Sequence, residues 1–161
     1  MGKASITVLR VIIAIALLGS LAVQVVIVPL LWLDMDGGRP DITIPILAIV
    51  VLGVGTLQVT AVCIWMLLTR VRRGTVFSPS SFRYVDTIIG AIATASVLTF
   101  GLAVVGAYAN RTTPGDEIAP GLVGMICGVS LVIAGVALVV YVMRQLLAQA
   151  VAFRSELDEV I

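Results

Sequence analysis

The sequence predicts an all-α integral membrane protein: an up-down four-helix transmembrane bundle whose last helix runs on as a cytoplasmic amphipathic extension. Three observations predict it. Of the 161 residues, 60% are hydrophobic and 12% charged, against roughly 45–50% and 25% in soluble domains, so polar surface is too scarce for a water-soluble fold. Uncharged stretches cover 11–33, 42–69, 87–110 and 118–143, each longer than the about 20 residues that cross a ~30 Å hydrocarbon core. None shows the polar–apolar alternation of a membrane-barrel strand or the polar face of a soluble amphipathic helix.

The spacing places the spans at about 9–33, 43–72, 80–110 and 118–148, with a helical tail over about 149–161, all in a single domain 1–161. The first apolar run exceeds the 7–15 residues of a secretory core region, so it is expected to stay as a span. Ile6 stands where a myristoylation motif needs Ser or Thr. The outer turns, 34–41 and 111–117, are short enough to join antiparallel neighbours. They share a pattern, Asp41-x-x-x-Pro45 and Asp116-x-x-x-Pro120. That pattern reads either as common helix-start chemistry, an acid at the positive end followed by Pro, or as a duplicated hairpin.

Orientation follows from the cations. Lys3, Arg10, Arg70, Arg72, Arg73, Arg83, Arg144 and Arg154 fall on one side and only Arg39 and Arg111 on the other, which predicts cytoplasmic N- and C-termini in a plasma membrane. Trp32 and Tyr108 at the outer ends, and Trp65, Tyr84 and Tyr141 at the inner ends, supply the two interfacial belts.

The spans hold few polar groups. Gln24 and Gln58 each lie near mid-depth and are candidate helix-packing residues. They read as an interhelical hydrogen bond worth about 0.6–2 kcal/mol, or as the lining of a polar cavity. Thr56, Thr60, Thr94, Ser96, Thr99 and Ser130 are expected to bond back to their own helices. In the fourth span Gly121, Gly124, Gly128 and Gly135 share one face. That stripe is expected to pack on a small face of the third span (Gly90, Thr94, Val97, Gly101) or to form a homodimer. Cys63 and Cys127 differ in depth by roughly 15 Å, too far for a disulfide.

The inner loop reads as an ordered basic turn. Gly74 ends the second helix after Arg72 and Arg73, Ser78-Pro79 starts the third, and Phe77 packs on Phe82 as a hydrophobic staple. In the tail, Leu146, Ala150, Phe153, Leu157 and Val160 recur at helical spacing among Glu156, Asp158 and Glu159. A membrane-surface helix would be basic, so this acidic one is expected to dock on protein. The expected docking lays Phe153 and Leu157 on the bundle, with the acids near Arg70, Arg72, Arg73 and Arg83. Together with Phe77 these are the candidate interaction residues.

Function classes narrow by exclusion. The sequence contains no His, which removes His-ligated haem or zinc and Ser-His-Asp or Cys-His nucleophiles. No Asp, Glu, Lys, Arg or His lies in the interior of a span, unlike most proton-coupled pumps and ion pathways. The balanced net charge of +1 gives no field for direct nucleic-acid binding. No cofactor and no catalytic residue is expected; the lipid bilayer is the one certain partner.

Arg73-Gly74-x-x-Phe77-Ser78, Arg83 leading into the third span, and the ending Glu156-Leu157-Asp158-Glu159-Val160-Ile161 resemble small bacterial four-span proteins of the domain of unknown function 2975 family. The resemblance covers the layout of nearly the whole chain. It implies a membrane partner for a small helix-turn-helix regulator, in signalling or stress response, and brings no site residue with it. Three classes stay open: a non-enzymatic regulatory or protein-interaction protein, which the sequence favours; a subunit of a small oligomeric transporter or channel for an apolar or uncharged solute; and a membrane enzyme acting on lipid or quinone, whose acid-base groups would have to come from interfacial Asp34, Asp36, Asp41 or Asp116.

Overall fold

Four long helices, antiparallel in sequence order, make up the computed structural model, which describes residues 3–33, 39–72, 79–112 and 118–158. Each is long and apolar enough to cross a membrane, and the protein is a multi-pass membrane protein. The first span is built from α1 (Lys3–Ala22), a π-helical segment (Val23–Ile27) and α2 (Val28–Leu33). Next come α3 (Pro40–Arg72), α4 (Pro79–Thr112) and α5 (Pro120–Asp158).

Prolines set where these helices begin and where one of them widens. Pro40 and Pro120 are the first residues of α3 and α5, where a missing N–H costs nothing because it would have no intrahelical partner. The carbonyl just before each takes up the first free donors: Arg39 O accepts from the Ile42 and Thr43 amides at 3.2 and 3.0 Å, and Ala119 O from the Leu122 amide at 2.8 Å. α3 therefore starts at Pro40, ahead of the position near 43 in the sequence reading, and α5 at Pro120, close to the expected 118. Pro45 falls inside α3. In the first span Pro29 has no N–H for the carbonyl four residues back, at Val25, and its ring crowds that carbonyl. The π segment at Val23–Ile27 surrounds that position, and the wider turn relieves the conflict.

Packing is uneven. The extensive seams join α4 to α5 and α3 to α4, while α1 meets α3 through a thinner one. The α4–α5 seam is lined by small residues. Ser96 Oγ donates to Ser130 O at 2.8 Å and Ser130 Oγ donates to Ser96 O at 2.9 Å. Ala103 and Ala137, seven residues beyond each serine and so on the same faces, are only 2% and 6% exposed. Both serines therefore bond across the seam and not to their own helices as the sequence reading had it. Thr56, Thr60, Thr94 and Thr99 do bond back, to Gly53, Thr56, Gly90 and Ala95 carbonyls.

The glycine stripe corrects a second expectation. An added Cβ at Gly121, Gly124, Gly128 or Gly135 would meet nothing within 4 Å, and the same holds for Gly90 on the third span. The helical wheel gives the reason: at 100° per residue, Gly128 lies 200° round α5 from Ser130. The stripe points away from α4 because the Ser/Ala face already occupies that side. Gly101 and Gly106 are the glycines in contact, the first with Ile49 at 3.5 Å and the second with Val123 at 3.7 Å.

Candidate functional site

The polar side chains collect at three levels along the bundle. At the end where α3 begins and α4 stops, Asn110 joins the end of α4 to the start of α5: its Nδ2 donates to Ile118 O at 2.7 Å, and Ile118 N donates to its Oδ1 at 2.7 Å. Arg39, just before α3, reaches the same place. Its guanidinium donates to Thr112 O at 3.1 Å, capping the α4 C-terminus, and pairs with Asp41 at 2.8 Å. The sequence reading passed over Asn110. An amide side chain at the end of an apolar helix, just before a short turn, was the signal available.

At mid-depth, Gln58 Nε2 donates to Gln24 Oε1 at 2.9 Å and lies 3.1 Å from Ser20 Oγ. Gln24 Nε2 in turn donates to Val51 O at 3.0 Å. These bonds make the cluster a clasp between the first span and α3. Gln24 lies within the π segment, so Pro29 helps to aim it.

The third level is the end that carries both chain termini, where arginines lie over aromatic rings of neighbouring helices. Arg10 of α1 covers Trp65 of α3 at 5.6 Å and donates to Thr69 Oγ1 at 2.8 Å. Arg70 of α3 covers Tyr84 of α4 at 5.0 Å. Arg144 of α5 covers Phe82 of α4 at 5.5 Å and forms an ion pair with Asp86, its Nε 2.9 Å from Oδ1 and its Nη2 donating to Oδ2 at 3.0 Å. One cation–π contact thus spans each successive helix seam, worth about 0.5–2 kcal/mol according to desolvation. Phe82 has Arg144 on its face; the staple that the sequence reading gave it with Phe77 lies outside the described residues, as do Arg73 and Glu159.

The tail is the third correction. α5 continues without a break to Asp158, and Phe153 is 66% exposed. It does not fold back onto the bundle. Nothing within the helix interrupts it: no Gly or Pro occurs between Ala137 and Asp158 to make a bend. Glu156, Leu157 and Asp158 continue that helix, while Arg72 closes α3 and Arg83 stands exposed on the first turns of α4. Among the described residues, no three His, Cys, Asp or Glu side chains are grouped to hold a metal ion. Cys63 and Cys127 are free.

With the four-span helical architecture and its polar ends in place, the comparison with known families is direct. A family model described as protein of unknown function (DUF2975) matches residues 32–161. The chain belongs to the DUF2975 family. The matched stretch takes in α3, α4 and α5, the helices that share the two extensive seams. No curated protein and no solved structure matches the chain.

Proposed function

We propose that this DUF2975 protein is a non-enzymatic regulatory or signalling protein of a bacterial cytoplasmic membrane, acting through contact with a cytoplasmic protein. The observation that carries the reading is the projecting end of α5. At 1.5 Å per residue its 39 residues extend about 58 Å, whereas a bilayer with its headgroups is about 40–45 Å thick. Some 15 Å of helix therefore stands clear of the membrane, with an exposed Phe153 on it and Glu156, Asp158 and Glu159 following in sequence. Both features suit a partner presenting an apolar groove with a cationic rim. A small helix-turn-helix regulator, the partner implied by the family resemblance, is one protein of that kind. The outward Gly121–Gly135 face is available for a homodimer within the membrane.

A photo-crosslinking amino acid at position 153, in cells, is expected to capture one cytoplasmic protein reproducibly, and Leu157→Ala is expected to reduce that capture several-fold. Crosslinks to lipid and to the protein's own chain alone would remove the reading.

The orientation within this proposal rests on the eight-to-two cation bias. Single cysteines placed at 38 and 114 in a Cys63→Ala/Cys127→Ala background should react with an impermeant maleimide on intact cells. Cysteines at 76 and 158 should react only after permeabilisation. Labelling of position 76 on intact cells would invert the topology.

A second reading, movement of an apolar solute, finds support in a crevice of about 540 Å³ along the α4–α5 seam. Ile89, Ala93, Val97, Ala134, Leu138 and Tyr141 line it. Solute flux in proteoliposomes separates this reading from the first.

A further inference from the structure

Arg70 and Arg83 line one polar cavity of about 290 Å³ with Tyr84 and Thr87, at the seam between α3 and α4. We propose that this cavity binds the phosphate diester of an anionic phospholipid headgroup.

Four features point there. The first is depth. Arg70 stacks on Tyr84 at the same end of the bundle as the Arg10–Trp65 contact, and Tyr and Trp in membrane proteins concentrate at headgroup level. The second is donor geometry. Stacking occupies the face of the Arg70 guanidinium and fixes the plane in which its N–H groups point, and a planar fork matches phosphate oxygens two at a time.

The third is charge. The lining holds two cations and no carboxylate among the described residues. The nearest acid along α4, Asp86, is held by Arg144 from α5. The Arg83 side chain is exposed and makes no ion pair or hydrogen bond with the described residues. The Thr87 hydroxyl donates to Arg83 O at 2.9 Å, so it shapes the wall. The fourth is size. At about 30 Å³ per water, the cavity accommodates a phosphate group together with several waters.

Assignment to the inner leaflet rests on the orientation proposed above. The chemistry of the cavity does not.

Native mass spectrometry of the full-length protein, released from micelles doped with equal phosphatidylglycerol and phosphatidylcholine, tests the proposal. The expected result is a several-fold excess of phosphatidylglycerol adducts. Arg83→Gln should cut that excess about fivefold, on the order expected for one cation at a lipid surface, and Arg83→Lys should restore part of it. Arg111→Gln, at the opposite end of α4, should leave it unchanged. Arg70→Gln should lower it too, with circular dichroism confirming that loss of the Tyr84 stack has not unfolded the helices. Equal adducts of the two lipids, or an excess indifferent to Arg83→Gln, would overturn the site. So would loss of the excess on adding millimolar inorganic phosphate, which would identify a free phosphate as the ligand.

Discussion

Ala103→Leu is expected to destabilise the protein by about 1–3 kcal/mol, the usual cost of forcing methylenes into a filled seam, while Gly128→Leu leaves its stability nearly unchanged. Ala103 is 2% exposed on the α4 face that carries Ser96. The Ser96–Ser130 pair holds the two backbones at a distance set by a hydroxyl reaching a carbonyl. A leucine at 103 can be accommodated only by parting the helices, which stretches both of those bonds. Gly128 has open space beyond it, and a leucine there meets lipid tails as apolar as itself. Thermal unfolding in a mild detergent, with oligomeric size recorded for each variant, decides between the two faces. A neutral Ala103→Leu would mean that the seam is not close-packed. If Gly128→Leu keeps the monomer's stability but halves the particle mass, the glycine face is the homodimer interface of the proposed function.

The second large effect concerns the first helix. Its thin seam with α3 relies on the Gln24–Gln58 clasp and on Arg10 over Trp65 and Thr69. Gln58→Leu removes an interhelical donor, worth about 0.6 kcal/mol on average and up to ~1.7 in membrane proteins. Arg10→Ala removes a cation–π contact of about 0.5–2 kcal/mol together with the bond to Thr69. Gln58 and Thr69 lie 11 residues apart on α3, about 16 Å by helical rise, beyond the 7–10 Å within which mutations couple directly. The two losses should therefore add, and the double variant should loosen α1 selectively. Hydrogen exchange is expected to accelerate across residues 6–33 and to stay slow across α4 and α5. Uniform acceleration of all four spans would show that α1 is an integral part of the bundle's cooperative unit.

Part of the architecture was legible because it depends on quantities a sequence carries directly. Span number follows from hydropathy and length, since the bilayer imposes one thickness on every crossing helix. The Gln24–Gln58 contact was legible for a related reason. Two amides at equal depth in antiparallel neighbours have few other partners in hydrocarbon, and helical rise alone gives their depth.

Other features were not legible, and each failed for a definite physical cause. Glycine spacing on α5 identified a face but not what that face meets. In lipid no hydrophobic gradient tells a buried side from an exposed one, because tails and neighbouring helices are both apolar. The Ser/Ala side won the α4 contact through reciprocal hydrogen bonds that need the two backbones' relative rotation, a quantity absent from either helix alone. The tail's periodicity announced an amphipathic helix, but docking requires the chain to turn back, and α5 has no Gly or Pro beyond Gly135 to bend it. The arginines illustrate both halves. Their excess at one end came from counting, whereas their division into an acid-paired Arg144, a Trp65-covering Arg10 and an Arg70–Arg83 pair around a cavity arose only when three seams brought different helices to the same level. Composition and length thus determined that this chain crosses a membrane four times as helices. Which faces meet and which arginine finds which partner were decided by the relative rotation and offset of the packed helices, terms that no single segment contains.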